Sequence, residues 1–467
     1  MSARFFKPQE LQQWVKEDPE RLLAAALTQI DQLRQRAQQL KEARARIAVL
    51  EKALEEAQKA ACRQAAPFRV PPPKRVANPK RPGRKAGHPG SFRPRPSYID
   101  EEITVKLGSC KHCGAQEWAE QEEVEQFIED IPRTRPHVTH LRTFVGTCAC
   151  CGESTRSRHP LQVSEAAGAA ACHIGPQALA IAADLNKAKG IPMRKTCAVL
   201  KDHFDLKITP GGLSGLLARV ALKVEPQYLQ IQEDMLKVPA LYVDETSWWV
   251  AGSLYWLWVF THPKGTFYHV DKSRGRCVLE TILGEVFPGV LVSDCLSIYD
   301  LEEGEQHKCF SHHLNAIRKA KEAHPLKGEG FLTQIGELLR RAIALGKEKA
   351  ALPAPEFLQR LHQLETEVDT MLAAPREEKN EESVRNRLLK QRDHLFTFLK
   401  HDGVDATNNL AERQLRPAVI ARKISCGNKT EAGAGTFQIL ASIAATCAQT
   451  GCNFINLIAK AMPLNSS

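Results

Sequence analysis

Near the start of the chain apolar residues recur every seven positions, at Leu33, Leu40, Ile47 and Leu54. Ala26 and Ala61 extend the series, and Leu23, Ile30 and Ala37 take the companion positions. Good helix formers dominate here, and Gly and Pro are absent from Glu20 to about residue 60. The pattern predicts one helix with a coiled-coil seam over about 20–60. Arg44 and Glu51 interrupt the companion positions, so a lone solvated helix is the plainer alternative. Helical spacing returns over 173–235. Cys197, Ala198, Leu200 and Phe204 form one apolar face, and a break follows at Asp205. Thr209 then stands as an N-cap, with Pro210 at the first helical position and Leu213, Leu216 and Leu217 behind it. This unit resembles a helix-turn-helix, although helical hairpins are common.

From Ala240 the period becomes that of strands. Leu241–Val250 and Leu254–Thr261 flank a Gly252-Ser253 turn, and Thr266–Val270 is a third strand. A helix over about Cys277–Leu283 leads to a returning strand, Val290–Asp294. Together these predict an α/β core. Helical patterns resume from His312 to about Lys400. Their faces are Leu332, Ile335, Leu338, Leu339 and Ala342, then Leu358, Leu361, Leu364 and Val368, then Val384, Leu388, Leu395 and Leu399. A last helical region begins at Asn408.

Composition changes this picture in one place. The 467 residues carry 64 Lys+Arg against 54 Asp+Glu, a net charge of +10. Between Ala61 and Tyr98 lie ten basic residues and no acid, including Lys80, Arg81, Arg84 and Lys85. Without those ten the chain balances at 54 against 54. The same segment holds nine of the 27 prolines, which exclude helix and sheet. A cationic extended arm points to a polyanionic partner, with a solubilising linker as the alternative. No apolar run reaches the roughly 18 residues of a membrane span. Nor does the N-terminus have the pattern of a signal peptide, so a cytoplasmic protein is expected.

The cysteines add a metal. Cys110 and Cys113 form one C-x-x-C-G pair, and Cys148 and Cys151 another. Two residues between thiolates let both reach one ion, and the glycine permits the turn that aims backbone N–H groups at sulfur. A structural Zn²⁺ module over 99–160 is expected, and a redox role would need only one pair. Residues 100 to 130 hold ten acids against Lys106 and Lys111, so this half of the module would repel phosphate.

Three carboxylates remain as candidates for chemistry. Asp244 is mid-strand, Asp294 ends the returning strand, and Glu412 lies on the helix that starts at Asn408. Converging at one sheet end, they would bind two Mg²⁺ ions for phosphoryl transfer. Strand-end Asp is also often structural. Glu245 points to the opposite face from Asp244, where it can anchor the strand, and Asp300 reads as a helper or a surface residue. Cys309 and His312 offer only two ligands, so zinc is not expected there; His312 is a candidate for positioning substrate. Arg413, Arg416, Arg422 and Lys423 make the end of the chain locally basic and are candidate DNA contacts. One of Trp248 and Trp249 should pack in the core.

These residues carry a resemblance. The R-P-G-R-K-A-G-H-P-G stretch, the paired C-x-x-C-G motif, V-D-E-T at Val243–Thr246 and V-S-D at Val292–Asp294 occur in order. Cys309-Phe-Ser-His312 follows, and then N-N-L-A-E-R-x-L-R-P at Asn408–Pro417. In this the chain is similar to bacterial insertion-sequence transposases of the IS66 family. Thr407, the C-F-S-H string and Ile424 depart from the family's usual residues. The resemblance implies that Asp244, Asp294 and Glu412 are an Asp-Asp-Glu triad using Mg²⁺, with Mn²⁺ as a substitute. It implies an RNase H-like core interrupted by a helical insertion over about 312–404. The expected fold is multidomain α+β: coiled coil 1–60, basic arm 61–98, zinc module 99–160, helical DNA-binding region 161–238 and catalytic domain 239–467. The expected partners are double-stranded DNA (transposon ends and target), a second copy paired through the first helix, and small companion proteins. A silent DNA-binding repressor and a structure-specific nuclease are the competing readings.

Overall fold

The computed structural model describes residues 15, 18–62, 93–132, 134–159, 162, 172–301, 303–323 and 330–463. It divides into two units, Met1–Arg69 and Val70–Ser467. The first carries helix α1, Pro19–Cys62, as its seven-residue repeat predicts. Leu23, Leu33, Leu40 and Ile47 are all exposed on it. Most of the basic arm, including Lys80, Arg81, Arg84 and Lys85, lies outside the described residues.

In the second unit the cysteine region contains one short antiparallel ladder, β1 (Val145–Thr147) with β2 (Ser154–Arg156). Three helices follow: α2 (Pro176–Ala183), α3 (Met193–Phe204) and α4 (Pro210–Met235). Asp205 ends α3 at a φ of 49°, and the Thr209 hydroxyl caps α4 by accepting the Gly212 N–H. Both features match the sequence expectation.

The sheet follows. β3 (Ala240–Val250), β4 (Ser253–His262) and β5 (Gly265–Asp271) form an antiparallel meander. Helix α5 (Arg276–Leu283) crosses to β6 (Val290–Ser293), which pairs in parallel with β3. β7 (Gln306–Lys308) adds in parallel to β6, giving the order β5-β4-β3-β6-β7. β7 has no counterpart in the sequence expectation. Its three residues are polar, yet all are buried.

Helices α6 (Phe310–Ala323), α7 (Phe331–Glu348), α8 (Ala354–Ala373), α9 (Lys379–Lys390) and α10 (Thr397–Lys400) form the insertion. On α8 the buried face is Phe357, Leu361, Leu364, Val368 and Leu372, and Leu358 points outward at 60% exposure. The expected apolar face was therefore one residue off at its start. Val384 and Leu388 lie on α9, whereas Leu395 and Leu399 are buried beyond a break in that helix. The chain closes with α11 (Asn409–Ser425), α12 (Glu431–Thr450) and α13 (Phe454–Ala461).

Alternation along β3 divides the interior. Ala240 and Tyr242 join the core shared with the insertion helices and α11. Leu241 and Val243 join the core shared with α2, α3, α4, α5, α12 and α13. The region over 176–235 thus buries its apolar face on the sheet. Burying both faces is what lets the central strand run as a nearly continuous apolar stretch.

Candidate active site

β3 and β6 pair Ala240 with Val290 and Tyr242 with Val292. Extending that register two places sets Asp244 beside Asp294, the first residue past β6. Glu412 is in the first turn of α11, which packs along β3. An Oδ1 of Asp244 accepts the Glu245 N–H at 2.9 Å, and Asp294 Oδ1 accepts the Leu296 N–H at 2.9 Å. Burial, then the charges of Glu245, Asp294 and Glu412, push the Asp244 carboxyl up to about 7. The field that raises Asp244 is one a cation would relieve, and carboxylate oxygens are the hard donors that Mg²⁺ takes. Their donor chemistry suits such an ion, although the oxygens of Asp244, Asp294 and Glu412 do not all lie within 4.8 Å of one another.

Cys309 stands at the same corner. Its N–H donates to the Ser293 carbonyl at 2.9 Å, beside Asp294, and its Sγ accepts the Asn408 N–H at 3.1 Å. His312 follows on the first turn of α6. The sulfur of Cys309, with the carboxylates of Asp294 and Glu412, draws the His312 imidazole toward its protonated form. The fold thus brings His312 to the carboxylates. Asn408 belongs to the N-N string, but sequence reasoning gave it no role. It is fully buried, and its Nδ2 donates to the Val243 carbonyl at 2.8 Å.

Glu245 lies on the other face, as strand parity requires. One carboxylate oxygen accepts from Arg274 Nε and Nη2 at 3.0 and 2.7 Å, and the other accepts from the Tyr299 hydroxyl. Nothing in the sequence pattern singled out Arg274 or Tyr299. Asp300 is a structural partner, paired with buried Lys308 at 3.3 Å and with Lys390 at 2.7 Å. Trp248 is buried and stacks on Phe437 at 4.7 Å, while Trp249 is half-buried.

Among the candidate DNA contacts, Arg413, Arg416 and Lys423 are exposed on α11. Arg422 differs. Its guanidinium donates to Thr246 Oγ1 at 3.0 Å, to Ser247 Oγ at 2.7 Å and to the Ser247 carbonyl, so it ties α11 to β3.

In the cysteine region both C-x-x-C-G segments form the same turn. Gly114 N–H donates to the Cys110 carbonyl at 2.8 Å and Gly152 N–H to that of Cys148 at 2.9 Å. Both glycines have the positive φ the turn needs, 78° and 74°. Neighbouring backbone N–H groups hold the Cys110 and Cys148 thiols below their ordinary range. The two turns are not drawn into one cage: among the described residues, the one group of three or more metal-type side chains within 4.8 Å is Cys309, His312 and Glu412.

The mixed sheet thus carries Asp244 and Asp294 on neighbouring strands, and five helices separate them in sequence from Glu412 on α11. The family described as "Transposase IS66 family" matches residues 172–436. The chain belongs to that family. The matched span runs from the helices that precede the sheet to the helix of Glu412 and beyond. No curated protein matches the chain. Membership assigns it to the transposases, whose family chemistry is nucleotidyl transfer with divalent metal. Among the described residues no helix is long and apolar enough to cross a membrane.

Proposed function

We propose that this transposase binds the terminal inverted repeats of its element and uses Asp244, Asp294 and Glu412 to cut and join DNA strands. The observation that carries the reading is Asp244, pushed up to about 7 by burial and by the acids around it, Asp294 and Glu412 among them. The strand order and the helical insertion before Glu412 support an RNase H-like catalytic core. Carboxylates from two adjacent strands and one helix would suit two Mg²⁺ ions, with Mn²⁺ as a substitute. Bound there, the ions would supply Lewis acidity to phosphoryl transfer. The carboxylates fix the reacting geometry, and His312 beside them orients the scissile phosphate. Arg413, Arg416 and Lys423 contact the DNA backbone, with Lys80, Arg81, Arg84 and Lys85 as a tether.

The exposed leucines of α1 support pairing of two copies, which would let one assembly hold both ends. The two cysteine turns would close on one Zn²⁺. The helices α3 and α4 are the unit that would read sequence, and the nucleoid in the cytoplasm is the expected place of action. The decisive assay incubates wild type and Asp244→Asn with Mg²⁺ and either end-containing or scrambled duplexes. Wild type should nick only the end-containing duplex, and the variant should bind it without cutting. Equal inertness of the two proteins would leave a DNA-binding repressor, and equal cutting of both duplexes a structure-specific nuclease.

A further inference from the structure

Cys309 has no part in the carboxylate mechanism and His312 only a positioning one, yet the fold builds both into the same corner. Cys309 immediately precedes α6 and His312 lies in its first turn, so a three-residue spacing turns both toward one side. Glu412 comes from the first turn of a different helix, about a hundred residues later. Sγ of Cys309, a ring nitrogen of His312 and a carboxylate oxygen of Glu412 all lie within 4.8 Å of one another. Tetrahedral zinc, at its usual bond lengths to S, N and O, spaces its ligands by about 3.5 Å. The remaining difference of about an ångström is within the reach of side-chain rotation.

Three further observations point the same way. The Cys309 side chain is fully buried and its sulfur already accepts a backbone N–H, that of Asn408, as metal thiolates do. It sits at a helix N-terminus, where the positive end of the backbone dipole favours thiolate. Nδ1 of His312 is a buried ring nitrogen without a hydrogen-bond partner.

We propose that Cys309, His312 and Glu412 form a site for one thiophilic divalent cation of the zinc class, sharing Glu412 with the carboxylate cluster. A sulfur and an imidazole nitrogen select zinc over magnesium, which takes oxygen. The site has three protein ligands and is open at the fourth position. An ion held there commits Glu412, so zinc and the hard-cation site compete for one side chain. That consequence rests on the carboxylate reading, but the binding itself does not.

The test is the zinc content of the purified full-length chain after equilibration with Zn²⁺ and removal of free metal, read by elemental mass spectrometry. Wild type should carry one equivalent more than Cys309→Ser and one more than His312→Ala. The same difference should persist in a Cys110→Ser, Cys148→Ser background, which separates this site from the cysteine turns. Co²⁺ in place of zinc should give a thiolate charge-transfer band that Cys309→Ser loses in that background. Should Cys309→Ser fold poorly, the half-buried His312→Ala carries the comparison. Equal zinc in wild type and both variants overturns the proposal. Failure of the carboxylate reading would appear instead as uncut end DNA in Mg²⁺ with the zinc difference intact.

Discussion

Replacing Asp244 with Asn should make the protein more stable while abolishing strand cleavage. The folded state holds the Asp244 proton up to about 7, against an ordinary 3.8. The folded protein therefore binds that proton more tightly than the unfolded chain does. Stability falls as pH rises through the interval from about 4 to about 7 and stays low above it. About three units at about 1.4 kcal/mol each set a ceiling of about 4 kcal/mol. Relaxation among the three neighbouring acids brings the expectation to about 2–4 kcal/mol. Asn keeps the volume and the acceptor for the Glu245 N–H but carries no charge. At pH 8 the variant should melt on the order of 3–6 °C above wild type, and the gap should close toward pH 5. Adding Mg²⁺ at pH 8 should raise the wild-type midpoint more than the variant's, because the ion relieves what the substitution has already removed. Thermal denaturation by near-UV circular dichroism at pH 5, 6.5 and 8, with and without Mg²⁺, reads all three effects. A variant that melts at or below wild type at pH 8, or a gap that ignores pH, would refute the electrostatic account.

Other substitutions probe the scaffold. Glu245→Gln weakens the links to Arg274 and Tyr299 and should cost about 1–2 kcal/mol in urea unfolding, a figure discounted because Arg274 is 42% exposed; an unchanged midpoint would make this buried contact inconsequential. Thr209→Ala removes the cap on α4 and should cost about 1 kcal/mol, with faster amide exchange at Gly212 as its local signature. Gly427→Ala places a Cβ 2.2 Å from the Trp249 carbonyl at a φ of +84°, so soluble yield and midpoint should both drop, by at least about 2 kcal/mol. Arg413→Ala with Arg416→Ala should leave the midpoint unchanged and lower the salt dependence of DNA binding by about one unit of slope per residue lost, and an unaltered slope would remove both from the interface.

Local chemistry was the legible part of the sequence. The Thr209-Pro210 cap, the β-branched and aromatic run of β3 and the C-x-x-C-G turns each depend on residues a few positions apart. Parity within β3 separated Asp244 from Glu245 correctly for the same reason. What escaped was set by tertiary partners. β7 reads as Gln-His-Lys, and no hydropathy pattern marks it as interior. It becomes tolerable there because Lys308 finds Asp300 and Ser293. Leu358 and Phe357 are equally apolar, and only the orientation of α8 against α7 decides which is buried. The Cys309–His312 pair looked two ligands short of a metal cage because the third donor comes from beyond the whole insertion.

That distance is the architectural problem this fold solves. In the proposed site Glu412 has to approach Asp244 on β3 and Asp294 just past β6 after the chain has left the sheet for five helices, and a helix held only by apolar packing can slide by a fraction of a turn. α11 is instead referenced to β3 by hydrogen bonds along its length. At its start, Asn408 donates to the Val243 carbonyl, one residue before Asp244, and its own carbonyl accepts the Glu412 N–H at 3.1 Å. Near its end, Arg422 holds Thr246 and Ser247. Just past it, Asn428 donates its N–H to the Trp249 carbonyl at 2.8 Å and accepts from the Trp248 indole at 2.8 Å. Successive positions on the helix thus grip successive positions on the strand, which fixes register as well as distance. Asn408 adds a second reference through Cys309, which is itself bonded to the end of β6. One buried side chain and its backbone therefore link the strand of Asp244, the strand end of Asp294 and the helix of Glu412. The charge repulsion concentrated at Asp244 can persist because these bonds to neutral groups of β3, rather than ion pairs with the acids themselves, hold α11 against the strand.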